Sequence, residues 1–386
     1  MDQAFFGAVK SNGTSHRPRF FAVLPVLSGL ALAGLLAGGA GCGDSGSGGA
    51  GGGSGGGQPE GGGAVCGLTP AENAEFCEST PGTPDCDLVG AAEFEVCGVP
   101  LREPPEELKR SNNVIDFSGD GPPDVSCFEP ANYPAPPGEP TMVTVSGFAR
   151  IFSSGCNSHD LKITFHRVQP DGQLGEAIGE SVVTAADCET VGESTEVDDC
   201  DLRWECPYSY ANVPTDTELA IRTESGPNAG IWGPLIQYNI YISQSEVVDG
   251  VWDHDVRALA QDDYSVIPQA AIGTQITPGH GVVAGEVHDC GDVRLTNAVA
   301  DIDQEHVLTT YFTSNEESPL PDQAAKSTSS LGLYAALDVP EGPVTVAAGG
   351  FIDGKFVALG QHRAWVYKDT VTSVTFKGLQ PYQVSE

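Results

Sequence analysis

The sequence predicts an all-β protein: two tandem β-sandwiches of the seven-stranded type behind a leader, a glycine-rich tether and a small cysteine-rich segment. Three observations predict it. Apolar residues recur at every second position in many short runs, the period of a half-buried strand. Glycine, proline, asparagine and aspartate punctuate those runs at turn-like intervals. The runs also fall into two blocks that resemble each other.

The chain has 386 residues, a length that suits two or three domains. Lysine and arginine number 18 against 53 aspartates and glutamates, a net charge of −35. Such a surface repels phosphate backbones and anionic membrane surfaces, which excludes nucleic acid as a partner. The 11 cysteines divide into Cys42, treated next, and ten others.

At the N-terminus, Lys10, Arg17 and Arg19 precede an apolar stretch from Phe20 to Ala37, followed by Gly39-Ala40-Gly41-Cys42. A basic region, an apolar region and small residues before a cleavage point make an export signal over 1–41. Pro25, Ser28 and Gly29 interrupt the apolar run, which favours a signal over a membrane span. Small residues ahead of a cysteine, with a polar low-complexity tract after it, resemble a bacterial lipobox, with Gly39 where leucine is usual. The resemblance implies that Cys42 is lipidated, becomes the first mature residue and anchors the chain in the cell envelope. The implied membrane is the outer one, with the chain facing the periplasm or the exterior. Residues 42–63 are then anchor and tether, since a glycine and serine tract cannot bury a core. Gly52-Gly53-Ser54-Gly55-Gly56 within it matches a hydrolase nucleophile pattern, but the strand and helix that such a serine needs are missing from its flanks.

Residues 64–136 form the cysteine-rich segment and a proline-rich linker. The even set Cys66, Cys77, Cys86, Cys97, Cys127, Cys156, Cys188, Cys200, Cys206 and Cys290 suggests disulfides in an exported chain, with connectivity open. No CxxC pair is present in 64–136, which argues against structural zinc there. Residues 69–76 suit a short helix capped by Thr69 with Pro70 at its first position. Asp116-Phe-Ser118-Gly-Asp120-Gly121 resembles the first half of a calcium loop, but its twelfth position, where a bidentate acid belongs, is Cys127.

The first sandwich spans 137–245, with strands expected over 142–152, 161–166, 208–211, 218–223 and 235–242. Residues 246–276 are expected to link the blocks. The second sandwich spans 277–386, with strands over 282–287, 307–313, 331–337, 344–348, 356–360, 364–367 and 371–376. Tyr208 and Tyr334, and Val213 and Val339, share an offset of 126, and Val145-Ser-Gly147 matches Val283-Ala-Gly285, so an internal duplication explains both blocks. The pattern Gly285-Glu-Val287-His-Asp289, Gly332-Leu333-Tyr334 and Val339-Pro340-Glu341-Gly342 resembles the carboxypeptidase-regulatory-like domain, a transthyretin-type sandwich. In the first block Asp216 stands where the turn glycine would. The resemblance implies accessory modules that stabilise, space or bind, without catalytic residues.

Few constellations suggest chemistry. The cysteines Cys188, Cys200 and Cys206 lie around an acidic stretch that suits a stapled surface loop or a cation site. His159-Asp160, His254-Asp255 and His288-Asp289 recur, but neighbours on a strand point to opposite faces, so solvated side chains are expected. Trp204, Trp232, Trp252 and Trp365 suit sandwich cores, or else a carbohydrate-stacking platform. No catalytic residue, metal ligand or cofactor is assigned. The expected function is a non-catalytic envelope module whose partners are the membrane, envelope proteins or glycans, with glycan or calcium binding as the alternative and a cryptic hydrolase behind both. Loops, rather than a cleft, are the expected working surface.

Overall fold

The computed structural model describes residues 95–96, 99–101, 115–116, 123–152, 158–185, 206–227, 230–315, 319–352 and 355–384. All of these belong to one compact unit within Gln58–Glu386. The leader, Cys42, the tether, the 69–76 helix and most of the acidic loop lie outside the described residues.

In chain order the main elements are β1 (Met142–Ile151), β2 (Leu161–Val168), β3 (Cys206–Pro214), β4 (Glu218–Ser225), β5 (Trp232–Gly233), β6 (Leu235–Tyr241), β7 (Val251–Asp253) and β8 (Val256–Ala260). Then come α1 (Gln261–Ile272), β9 (His280–His288), β10 (Val299–Ile302), β11 (Leu308–Phe312), β12 (Leu333–Pro340), β13 (Gly342–Ile352), β14 (Lys355–Val366), β15 (Val371–Val374) and β16 (Phe376–Lys377). The fold is all-β, as the alternation predicts. The runs 356–360 and 364–367 are one strand, β14, because the chain bulges opposite Ala348 and Gly349 instead of turning.

The segment 246–276 is more structured than a link. β7 and β8 extend the sheet of the first block, and α1 follows. Asp262 and Asp263 sit in the helix's first turn, where they complement its dipole, and Gly273 closes it at φ 73°. Tyr264, Ile267, Pro268 and Ala271 recur at helical spacing, but a proline inside so short a run obscures the pattern.

Three sheets carry the fold. An 11-stranded sheet has the central order β11-β12-β9-β15-β6-β4-β2 and runs through both blocks. A five-stranded sheet holds β3, β1, β7, β8 and β5, and a three-stranded sheet holds β10, β13 and β14. The five-stranded sheet packs over one end of the long sheet, burying Val145, Ile163, Phe165, Tyr210 and Ile221 between them. The three-stranded sheet covers the opposite face, where Tyr238, Val283, Tyr334, Val346 and Val366 are buried. A small core around Val96, Phe128, Val299 and Phe356 lies near the disulfide Cys127–Cys290, which ties residues separated by 163 positions.

The duplicated residues occupy matching places. β1 pairs antiparallel with β3, setting Gly147 opposite Tyr208, while β9 pairs antiparallel with β12, setting Gly285 opposite Tyr334. On its other side β1 takes two parallel partners in succession, β7 and β8, and β9 does the same with β15 and β16. At each break a carbonyl crowds the glycine: a Cβ on Gly147 would lie 2.0 Å from His254 O, and one on Gly285 1.8 Å from Val374 O. The facing tyrosine closes the break, since Tyr208 donates to His254 O and Tyr334 to Val374 O, each at 2.7 Å. Asn212 and Asp338 share a positive φ, 62° and 63°, at the bulge of each antiparallel partner. Asp216 adopts φ 48° in the glycine's place and accepts a hydrogen bond from Tyr241 at 2.8 Å.

No side chain fits at either break without moving backbone. Gly147→Ala and Gly285→Ala are each expected to cost about 1–3 kcal/mol in denaturant unfolding. Gly230→Ala, where nothing lies within 4 Å, is expected to be close to neutral. Unchanged midpoints for the first two would show that the breaks open freely.

Candidate binding cavity

The five-stranded sheet covers only the β2–β4–β6 end of the long sheet, and α1 covers part of the rest. Between them lies a cavity of about 400 Å³. Its floor is the long sheet: Leu235 and Gln237 on β6, Val371 and Ser373 on β15, Val282 and Ala284 on β9, Leu333, Ala335 and Leu337 on β12. Its opposite wall is built by Arg257 and Leu259 of β8 and by Tyr264, Ile267 and Pro268 of α1. Phe152, beyond the end of β1, meets Phe312 of β11 edge to face at 6.2 Å. A cavity of this size with an apolar lining and a few polar groups is the usual form of a small-molecule site.

The polar end follows from strand alternation. On β9 the residues Val282, Ala284, Glu286 and His288 all face the cavity, so the strand runs from apolar to charged along one face. The two strand breaks add His254 and Asp255 from the first block and Thr375 and Lys377 from the second.

Ion pairs order this end. His288 Nε2 lies 2.8 Å from Glu286 Oε2, and its Nδ1 lies 2.6 Å from Asp292 Oδ1. Arg294 Nε donates to Glu286 Oε2 at 3.0 Å, and Lys377 Nζ to Asp292 Oδ2 at 3.0 Å. Asp255 meets Arg150 at 2.6 Å and accepts from the Phe148 amide at 2.8 Å. Burial opposes a charge on Glu286, but the bond from His288 and the charges of His288, Arg257 and Arg294 outweigh it and hold the carboxyl at about 2. Burial likewise disfavours the charged His288 imidazole, yet Asp292 and Glu286 raise it above the ordinary histidine range. His254 is different: burial, then the nearby Lys377, push it down to about 4, so it is neutral near pH 7. It stacks on Trp252 with ring centroids 4.4 Å apart.

Among the described residues three buried polar atoms of the cavity lining have no hydrogen-bond partner: Gln237 Nε2, His254 Nε2 and Tyr264 Oη. Gln237 is 8% exposed, and its Oε1 is taken by the Arg257 amide at 3.2 Å. Buried polar groups are ordinarily satisfied, so three such atoms around one cavity mark a place where polar ligand atoms fit.

The structure revises several readings. A cleft, not a loop surface, collects the polar groups. His254, Asp255 and His288 line it instead of being solvated, while Asp289 points elsewhere and accepts from the amides of Gly291 and Val293 at 2.9 and 3.0 Å. His159 and Asp160 lie away from it. Trp232 is buried and donates to His159 O at 2.8 Å, as a core residue does. Cys127, at the twelfth position of the calcium-like loop, is bonded to Cys290, and Cys206 is also disulfide-bonded. Cys42, Cys66, Cys77, Cys86, Cys97, Cys156, Cys188, Cys200 and Trp204 lie outside the described residues. Among the described residues no group of three or more His, Cys, Asp or Glu is placed to hold a metal ion. Sequence reasoning missed Gln237, Arg257, Glu286, Arg294 and Lys377. The available signal was Glu286 and His288 sharing the strand face of Val282 and Ala284.

No family model matches the chain, and no curated relative does. Among solved structures it is similar to the TIE protein of Bacillus anthracis, at 10% identity over 61% of this chain and 34% of that one, with TM-score 0.17. The chain thus spans about a third of that protein's length. It is similar to the minor pilin GBS52 of Streptococcus agalactiae, at 12% identity over 61% of this chain and 94% of that one, TM-score 0.17. It is also similar to the major pilin subunit BcpA of Bacillus cereus, at 11% identity over 63% and 71%, TM-score 0.17.

The His288 network makes stability pH-dependent in a definite sense. A raised histidine contributes fully below its unfolded value of 6.5, and the contribution is lost as pH rises through the higher folded value. Glu286, lowered from 4.5 to about 2, contributes above 4.5 and loses its contribution as pH falls toward 2. His288→Gln is therefore expected to cost about 1.5–3 kcal/mol near pH 6, with the gap to wild type narrowing in alkali. Thermal melts across pH check this; a gap that does not change with pH would mean that the ring only fills space.

Proposed function

We propose that this chain is a non-catalytic, ligand-binding β-module of a bacterial cell envelope, anchored through Cys42, that holds a small molecule between its two repeats. The observation that carries the reading is the cavity into which both repeats deliver polar residues while Gln237, His254 and Tyr264 keep unpartnered buried atoms. The shape of the lining supports binding: the long sheet and α1 supply an apolar surface at one end, and charged residues gather at the other.

The ion pairs support a binding role over a catalytic one. Both ring nitrogens of His288 are engaged by carboxylates, so neither is placed to carry a proton to or from a ligand. The leader and lipobox-like sequence support the anchor. Among the described residues no helix is long and apolar enough to cross a membrane; in this reading the lipid on Cys42 provides the attachment. The glycine-rich tether would let the module stand off from the surface.

Native mass spectrometry of the full chain, extracted in mild detergent from the cells that make it, tests both parts together. The expected species begins at a lipid-modified Cys42 and carries one non-covalent small molecule, which Ala284→Trp excludes by filling the floor. A chain of unmodified mass overturns the anchor. A bound molecule that survives Ala284→Trp overturns the site.

A further inference from the structure

Resting on the reading of this cavity as a binding site, we propose that its ligand is a small amphipathic monocarboxylate, with the aliphatic part on the floor and the carboxylate at Arg257 and Gln237. The charges around the cavity lead there. Although the molecule carries −35 overall, Arg257, Arg294 and Lys377 of its 18 lysines and arginines line this one cavity. Most of the charges cancel in place. Arg294 and His288 are committed to Glu286, Lys377 and His288 to Asp292, and Arg150 to Asp255. Asp263, on the helix wall, has its own partner.

Arg257 has no direct partner, although its charge reaches Glu286. Among the described residues its guanidinium has neither an ion pair nor a hydrogen bond; only its backbone is engaged, with the amide donating to Gln237 and the carbonyl accepting from Thr223. A half-buried cation in a largely apolar cleft is costly unless it is paired. The bond from the Arg257 amide to Gln237 Oε1 also sets which amide atom stays free: Gln237 Nε2, a buried donor on the floor facing this wall. A fork of guanidinium donors with a neighbouring amide N–H matches the two oxygens of one carboxylate. A single carboxylate at Arg257 would give this guanidinium the direct partner it lacks. From this end the floor leads to Leu235, Val282, Leu333, Leu337 and Phe312, with no charged side chain among them, and an aliphatic chain suits that surface.

The test is isothermal titration of the full chain with decanoate, decan-1-ol and decyltrimethylammonium, each kept below its micellar concentration. Decanoate is expected to bind one per chain, at least tenfold tighter than the alcohol, with the cation weaker still. Arg257→Gln should bring decanoate down to the level of the alcohol and leave the alcohol unchanged, while Arg257→Lys keeps part of the preference. Equal binding of acid and alcohol to wild type, or equal loss of both in Arg257→Gln, overturns the head-group assignment and leaves the cavity as an apolar site. Preference for the cation overturns the sign of the charge. Failure of all three amphiphiles to bind overturns this ligand class; a ligand retained in native spectra and excluded by Ala284→Trp would then keep the binding reading standing without it.

Discussion

The structure depends on β15, a strand of four residues paired in parallel on both sides. Its register sets Leu235, Val371 and Val282 in one row and Gln237, Ser373 and Ala284 in another. Without it β6 of the first repeat and β9 of the second would be separate edges. With it they share one sheet, and exposed edge groups become ladder hydrogen bonds. Parallel pairing is the weaker kind, and so short a strand relies on burial of both faces: Thr372 and Val374 are fully buried and Val371 nearly so. The carbonyl at the end of β15 fits against Gly285 because that residue has no side chain, and Tyr334 anchors it there.

The same device in the first repeat explains why the cavity exists. Two consecutive parallel partners on one strand require a break between them, and at the break the chain leaves the ladder. In β7–β8 the break exposes His254 and Asp255 to the cleft, and in β15–β16 it exposes Thr375 with Lys377 beyond it. A feature that solves a packing problem twice therefore supplies polar groups twice, from two repeats facing one space. The cavity belongs to the joined pair, since each repeat contributes walls that the other lacks.

Electrostatics then gives the cleft a character the surface does not have. Across the molecule acids outnumber bases by nearly three to one, a balance that disfavours approach of polyanions. Inside the cleft Asp255 and Glu286 each have a cation or His288 close by, and burial strengthens these pairs by removing competing water. Glu286 is the centre of this arrangement: carried to the inner face by alternation, it is tolerable there only because His288 and Arg294 reach it.

Period-two alternation, turn chemistry and internal similarity were enough to read the strands, the all-β class and the matching of Tyr208 with Tyr334, because each depends on neighbours a few residues apart or on comparison along the chain. They also show Glu286 and His288 on one face with Val282 and Ala284. They do not show α1, whose helical spacing is broken by Pro268, nor the joining of the repeats, since β15 reads as an ordinary short run. The site lay further out of reach. Arg257 looks like any solvated cation until its guanidinium is seen to line the cavity without an ion pair among the described residues, and Gln237 like any polar strand residue until its amide is seen to be buried and half-satisfied. The sequence by itself determined which residues alternate, where the chain turns and which segments are copies. Only the tertiary structure decided which copies face each other across a cleft, because pairing between β6, β15 and β9 joins residues 89 to 136 positions apart (371 − 282 and 371 − 235) and leaves no periodic trace in the chain.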